Sequence, residues 1–185
     1  MSDSQSQIDA LRRELQETSR QASELWDKQP PENLLRRPSE RKWSPAECVE
    51  HLNITNKAYV FRIDEALHEL ETKKVSGSAR MMMNFNAQLL KWWLEPPSRL
   101  KLPTAPAFEP LAVTSAEQVL SAFHELNARM DGQLKRGYGL ALDTAMITSP
   151  FSEAVKYNVY SAFVLIAAHN RRHLWQATQA LKARA

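Results

Sequence analysis

The chain has 185 residues, 43% hydrophobic and 24% charged, which is the composition of a folded chain with a sizeable core and not of a disordered one. Four glycines argue against a turn-rich β fold and against a glycine-rich phosphate loop, and the one cysteine, Cys48, excludes an internal disulfide and a four-cysteine zinc site. A net charge of +3 is too small to imply nucleic-acid binding.

The N-terminal stretch MSDSQSQIDALRREL is polar and acidic from its start and has no apolar run of the kind a signal peptide carries. The longest apolar stretch, 161–168 (SAFVLIAA), is far short of the ~20 residues of a membrane span. The expectation is a single cytoplasmic domain over 1–185, its core at about 5–182, with no membrane and no nucleic-acid partner.

Ile8, Leu11, Leu15, Thr18, Ala22 and Leu25 recur at 3-4-3-4-3 spacing, which predicts an amphipathic helix over 5–28, stopped by Pro30-Pro31. Residues 29–43 read as a connection pinned by Leu34 and Leu35. Ser44, Pro45 and Glu47 fit the N-cap, N1 and N3 positions of a capping box. A second long helix therefore runs from there to about Glu71, with Val49, Leu52, Tyr59, Ile63, Ala66 and Leu70 inward.

Residues 72–80 read as a loop and 81–94 as a short helix. The proline-rich stretch 95–110 reads as irregular chain held by Leu100, Leu102, Phe108 and the adjoining Leu111. Thr114-Ser115-Ala116-Glu117 offers another cap with a capping-box glutamate. It opens a third long helix carrying Val119, Leu120, Phe123, Leu126, Met130 and Leu134 and closing near Gly137 and Gly139. Thr148-Ser149-Pro150 marks a turn before a fourth helix over about 152–182, whose end carries Lys182 and Arg184. No segment reads as a strand. The sum is an all-α four-helix bundle with a short extra helix and a proline-rich loop between its second and third long helices.

Five histidines are present: His51, His68, His124, His169 and His173. His169 and His173 are four apart on one helix, which puts both imidazoles on one face at the end of the apolar stripe of Ala162, Leu165 and Ile166. That spacing suits a shared metal ion; it also suits two histidines that face solvent or hydrogen-bond within the core. No Glu follows His169, so a zincin-type protease is disfavoured.

His51 shares a stripe with Cys48, Thr55 and Tyr59 and can face the pair across the bundle, or be a satisfied core histidine. His68 falls on another face, and His124 beside Phe123 stays outside the set. Cys48 reads as a small buried hydrophobe. Thr55, Tyr59 and Gln176 extend these stripes as pocket or supporting residues, or as ordinary interhelical contacts. Trp92, Trp93 and Trp175 fit an apolar wall or simple core filling. The basic residues after Glu153 suit a helix C-terminus and a solvated face better than a nucleic-acid surface.

Trp43-Ser44-Pro45-Ala46-Glu47-Cys48-Val49-Glu50-His51-Leu52 resembles the W-S-x-x-E-x-x-x-H-L signature of the DinB/YfiT-like superfamily. His169-Asn170-Arg171-Arg172-His173-Leu174-Trp175-Gln176 resembles its C-terminal H-x-x-R-H-x-x-Q signature. The resemblance implies an up-down-down-up bundle with a metal site at one end, zinc or nickel in most such structures, and His51, His169 and His173 as ligands. It also implies a metal-dependent hydrolase or a transferase of low-molecular-weight thiols acting on a small molecule. Homodimers are common among bundles of this kind. A non-enzymatic metal-binding or scaffold bundle of the stress response is the alternative.

Overall fold

In the computed structural model, which describes residues 2–77, 79–97 and 104–183, four long helices carry the fold: α1 (Asp3–Asp27), α3 (Pro45–Thr72), α5 (Ala116–Arg136) and α6 (Val159–Lys182). Between them lie α2 (Pro31–Leu35), α4 (Phe85–Leu94), a 3-10 turn at Pro106–Phe108, and strands β1 (Met146–Ser149) and β2 (Ser152–Asn158).

The caps show why the helices start where they do. Ser2 caps α1 reciprocally with Gln5, and Ser44 caps α3 reciprocally with Glu47, each pair satisfying two backbone N–H groups. Ile8, Leu11, Leu15, Thr18 and Ala22 are all buried, but the last core position on α1 goes to Trp26, with Leu25 only half-buried. Trp26 wins because its indole N–H donates to Ala116 O at 2.9 Å, tying α1 to the first turn of α5.

Several boundaries differ from the sequence-based expectation. The cap of α5 is Ser115, which accepts from Gln118 N, so Glu117 falls one residue short of the capping-box position. The connection after α1 contains α2, whose Leu34 is buried. The short helix begins at Phe85, and Met81 is buried ahead of it.

The largest correction is an antiparallel hairpin where a helix start was expected. β1 pairs with β2 from Met146↔Asn158 to Ser149↔Ser152, and α6 begins at Val159 with Asn158 as its cap. The hairpin closes at Ser149-Pro150-Phe151, so the turn read at Thr148-Ser149-Pro150 is there, but it leads into a strand and not into the helix expected from about 152. Leu100, Leu102 and Arg184 lie outside the described residues, and Leu111, expected to pack on the body, is exposed.

Side-chain pairs fix the helix directions. Along α1 and α5, Arg12–Asp131, Ser19–Asn127 and Ser23–His124 run in opposite senses. Along α3 and α5, Asn53–Val119, Gln133–Val60 and Arg136–Glu71 run in the same sense. Gln7–Tyr160 and Glu14–Arg171 make α1 and α6 parallel, while Asn56–Asn170 and His51–His169 beside Tyr59–Tyr157 make α3 and α6 antiparallel. The bundle is up-down-down-up. α1 and α3 each pack against both α5 and α6, which leaves α1/α3 and α5/α6 as its diagonals.

The apolar core falls into two clusters. The larger joins Ile8, Leu11 and Leu15 of α1 to Ile63 and Leu67 of α3, Met130 and Leu134 of α5, and the first half of α6 around Phe163. The smaller joins Ala22, Trp26, Val49, Leu52, Val119, Phe123 and Leu174 at the opposite end. Each fully buried Leu, Ile or Phe contributes about 1.5–3 kcal/mol of transfer free energy. Between the clusters each long helix contributes one residue to a hydrogen-bonded polar set: Ser19, Asn56, Asn127 and Asn170. Among the described residues no helix is long and apolar enough to cross a membrane.

Candidate metal centre

His51 lies in the second turn of α3, so the capping box that starts this helix also sets the height of the imidazole. The box is reinforced from outside. Arg37 Nε donates to both Glu47 oxygens at 2.8 Å, while Glu47 accepts from Ser44 N at 2.7 Å. Burial pushes the Glu47 carboxyl up, but the Arg37 and Ser44 hydrogen bonds outweigh it and hold the group below its usual range. Trp43, one residue before the cap, is thereby laid over the site, its ring 5.1 Å from that of His51 and 6.1 Å from that of His173.

His169 and His173 come from α6, one turn apart. The ring centroids of the two are 4.5 Å apart, and those of His51 stand 5.1 Å from His169 and 4.5 Å from His173. All three histidines are buried, and their candidate ligand atoms lie within 4.8 Å of one another; no carboxylate or thiol joins them among the described residues.

The protonation states follow from the partners. His51 Nδ1 stands 2.7 Å from Phe108 O, and a carbonyl only accepts, so Nδ1 carries the proton and Nε2 is bare. That bare Nε2 is 3.3 Å from His169 Nε2. The gap takes either one proton or one cation. Two nitrogens at the ~2.0–2.1 Å bond length of tetrahedral zinc also stand ~3.3 Å apart.

Burial depresses all three imidazole pKa values. Phe108 O offsets part of this at His51, while His169 and His173 are driven well down, with further repulsion from the neighbouring imidazoles and Arg172. All three are therefore neutral near pH 7, the form a metal binds. His173 Nδ1 is buried with no hydrogen-bond partner among the described residues. Three neutral imidazoles, one with its outer N–H already bonded, fit a divalent cation.

Aromatic rings from the inter-helix segments close the site. Phe151, at the hairpin turn, meets His169 edge-on at 6.0 Å and packs on Phe108 at 4.6 Å. Tyr59 reaches only this outer ring, 6.3 Å from Phe151, and its hydroxyl is 2.5 Å from that of Tyr157. Thr55 is buried but turned onto its own helix, donating to His51 O at 3.0 Å. Gln176, one turn beyond His173, favours that imidazole's charged form but makes no hydrogen bond to its buried Nδ1.

Trp92 is exposed and Trp93 and Trp175 are half-buried; the rings that meet the histidines of the cluster among the described residues are Trp43 and Phe151. His68 is exposed, and His124 pairs with Ser23 Oγ at 3.0 Å between α5 and α1. Cys48 is fully buried, and desolvation pushes its thiol far up, which leaves it unreactive.

The paired arginines beside the histidines serve the scaffold. Arg171 binds Glu95 and Glu14, and Arg172 donates to Trp93 O at 2.8 Å, so both hold the C-terminal end of α4 against α6. Phe108 comes from the proline-rich stretch that the sequence reads as packed on the body, whereas Phe151 as cover and Trp43 as a ring over the histidines were not anticipated. Of these two, only Trp43 carried a signal, its place before the cap.

A family model described as the DinB superfamily matches residues 14–177. No match was found among curated proteins or among solved structures.

Proposed function

Since the chain belongs to the DinB superfamily, we propose that it is a metal-dependent enzyme in which His51, His169 and His173 hold one divalent cation, zinc or nickel, for hydrolysis or for transfer of a low-molecular-weight thiol. The observation that carries this reading is the convergence of three buried, neutral imidazoles on a space less than 4.8 Å across. A cation held by three imidazoles keeps further positions open and lowers the pKa of a water or thiol that reaches it.

The chain's own residues supply the rest. Phe108 O keeps His51 in the tautomer that presents Nε2, and Trp43 and Phe151 keep bulk water from the imidazoles. The same reading takes the substrate to be a small molecule, the compartment the cytoplasm and the assembly a homodimer. The tight aromatic cover favours one alternative, a bundle that binds metal without turning over a substrate.

Metal analysis of protein purified without chelator tests the proposal. The expected result is one zinc or nickel per chain, lost in His51→Ala while the far-ultraviolet circular dichroism stays helical. A wild type that takes up neither metal on titration, or a variant that keeps its metal, overturns it.

A further inference from the structure

One hydrogen-bonded relay crosses the bundle between the two apolar clusters, taking one side chain from each long helix. Asn56 Nδ2 on α3 donates to Asn170 Oδ1 on α6 at 3.2 Å. Asn170 Nδ2 donates across the diagonal to Asn127 Oδ1 on α5 at 3.3 Å, and Asn127 Nδ2 donates to Ser19 Oγ on α1 at 2.8 Å. Asn56 and Asn170 are fully buried and Asn127 nearly so.

Amides in such a place add little stability over apolar side chains that pack as well, and Asn56 Oδ1 is left buried with no partner among the described residues. What buried amides supply is alignment. An Asn between packed helices selects one register, because every other register strands its donors and acceptors.

Asn170 directly follows His169 and precedes His173 by less than one turn. It is gripped from α3 on one side and α5 on the other, so both the rotation and the height of α6 are fixed at this residue. Turning α6 by one residue is a rotation of about 100°, and slipping it by one turn moves it about 5.4 Å. Either would break the relay and would carry both imidazoles away from His51, whereas metal ligation tolerates errors of only about 0.2 Å in bond length.

We infer that the Asn56–Asn170–Asn127–Ser19 relay is a positioning device that aims His169 and His173 at His51. Its consequence for metal binding rests on the metal reading above; the aiming itself is a property of the metal-free chain.

The test compares Asn170→Ala and Asn127→Ala with Leu134→Ala, a core truncation further along α5. Two quantities are read beside the melting temperature: the cobalt(II) dissociation constant, by chelator competition with the visible spectrum, and the nitrogen resonances of the His169 and His173 rings in metal-free protein. All three variants should melt lower. The two asparagine variants should bind cobalt about 10–100-fold more weakly and shift the ring resonances, and Leu134→Ala should change neither.

An asparagine pair that matches wild type in cobalt affinity and ring resonances, or an equal change in Leu134→Ala, overturns the inference. If Asn170→Ala does not fold, Asn127→Ala, on a different helix from the paired histidines, decides. If wild type binds no cobalt, the metal reading fails by itself, and the ring resonances still decide the aiming.

Discussion

On the hairpin side of the bundle, the four long helices meet through Ile8, Leu11, Ile63, Leu67, Met130, Leu134 and Phe163. A turn or two further along, the same helices meet through Ser19, Asn56, Asn127 and Asn170, with His51, His169 and His173 next in line. The first region uses contacts without direction, which many hydrophobic side chains of similar volume satisfy. The second uses hydrogen bonds between named donors and acceptors, which form in one alignment and are lost in others. The apolar region supplies most of the free energy that keeps the bundle folded, and the polar region restricts which alignment is kept. Stability and site geometry are thus separable properties of the same four helices, and substitutions in each region should show it.

The largest effect is expected in the apolar half. Phe163 is 1% exposed, and Phe163→Ala should lower stability by about 3–5 kcal/mol in chemical denaturation, with metal uptake unchanged in the fraction that stays folded. A loss of metal affinity in that folded fraction would break the separation.

An intermediate effect comes from pH acting on the polar half. In the metal-free protein His169 and His173 have folded-state pKa values well below the ordinary 6.5. Between the depressed folded values and the unfolded value near 6.5, the unfolded chain binds more protons than the folded one, so unfolding is favoured as pH falls. Their contribution is fully present above about pH 6.5 and is lost below it, at up to about 1.4 kcal/mol per pH unit for each imidazole. Denaturation midpoints at pH 7.5 and 5.5 measure the loss, and saturating zinc should reduce it. A metal-free protein equally stable at both values would contradict the burial of two neutral imidazoles.

The smallest effect is reserved for Thr55. Its hydroxyl reaches only the carbonyls of its own helix, so Thr55→Val should cost less than about 1 kcal/mol and leave metal content unchanged. A marked drop in metal content would give Thr55 a part in the site that its geometry denies.

The two regions also differ in how far the sequence reveals them. Ser44, Pro45 and Glu47 announce the start of α3 because capping chemistry is local, and the spacing of Ile8, Leu11 and Leu15 marks the buried face of α1 because helical period is local. His169 and His173 share a face for the same reason. The approach of His51 to them depends on α3 and α6 lying antiparallel, which no local pattern encodes, and the family resemblance supplied it. The hairpin escaped because β2 buries only Tyr157 and Asn158 in full, so its strand character comes from pairing with β1 and contact with α3 and α6. Phe108 and Phe151 sit in connections, whose positions follow from the finished fold and from no periodicity of their own.

The group that orients His51 is a main-chain oxygen. Amino-acid replacement at Phe108 changes the ring that packs on Phe151 but cannot delete the carbonyl that accepts from Nδ1. Point mutation alone therefore leaves the acceptor in place, and the imidazole loses its guide only when the chain path through Pro106–Phe108 moves. The tautomer of His51 is thus set by the course of the main chain, and the Phe108 side chain serves only the cover.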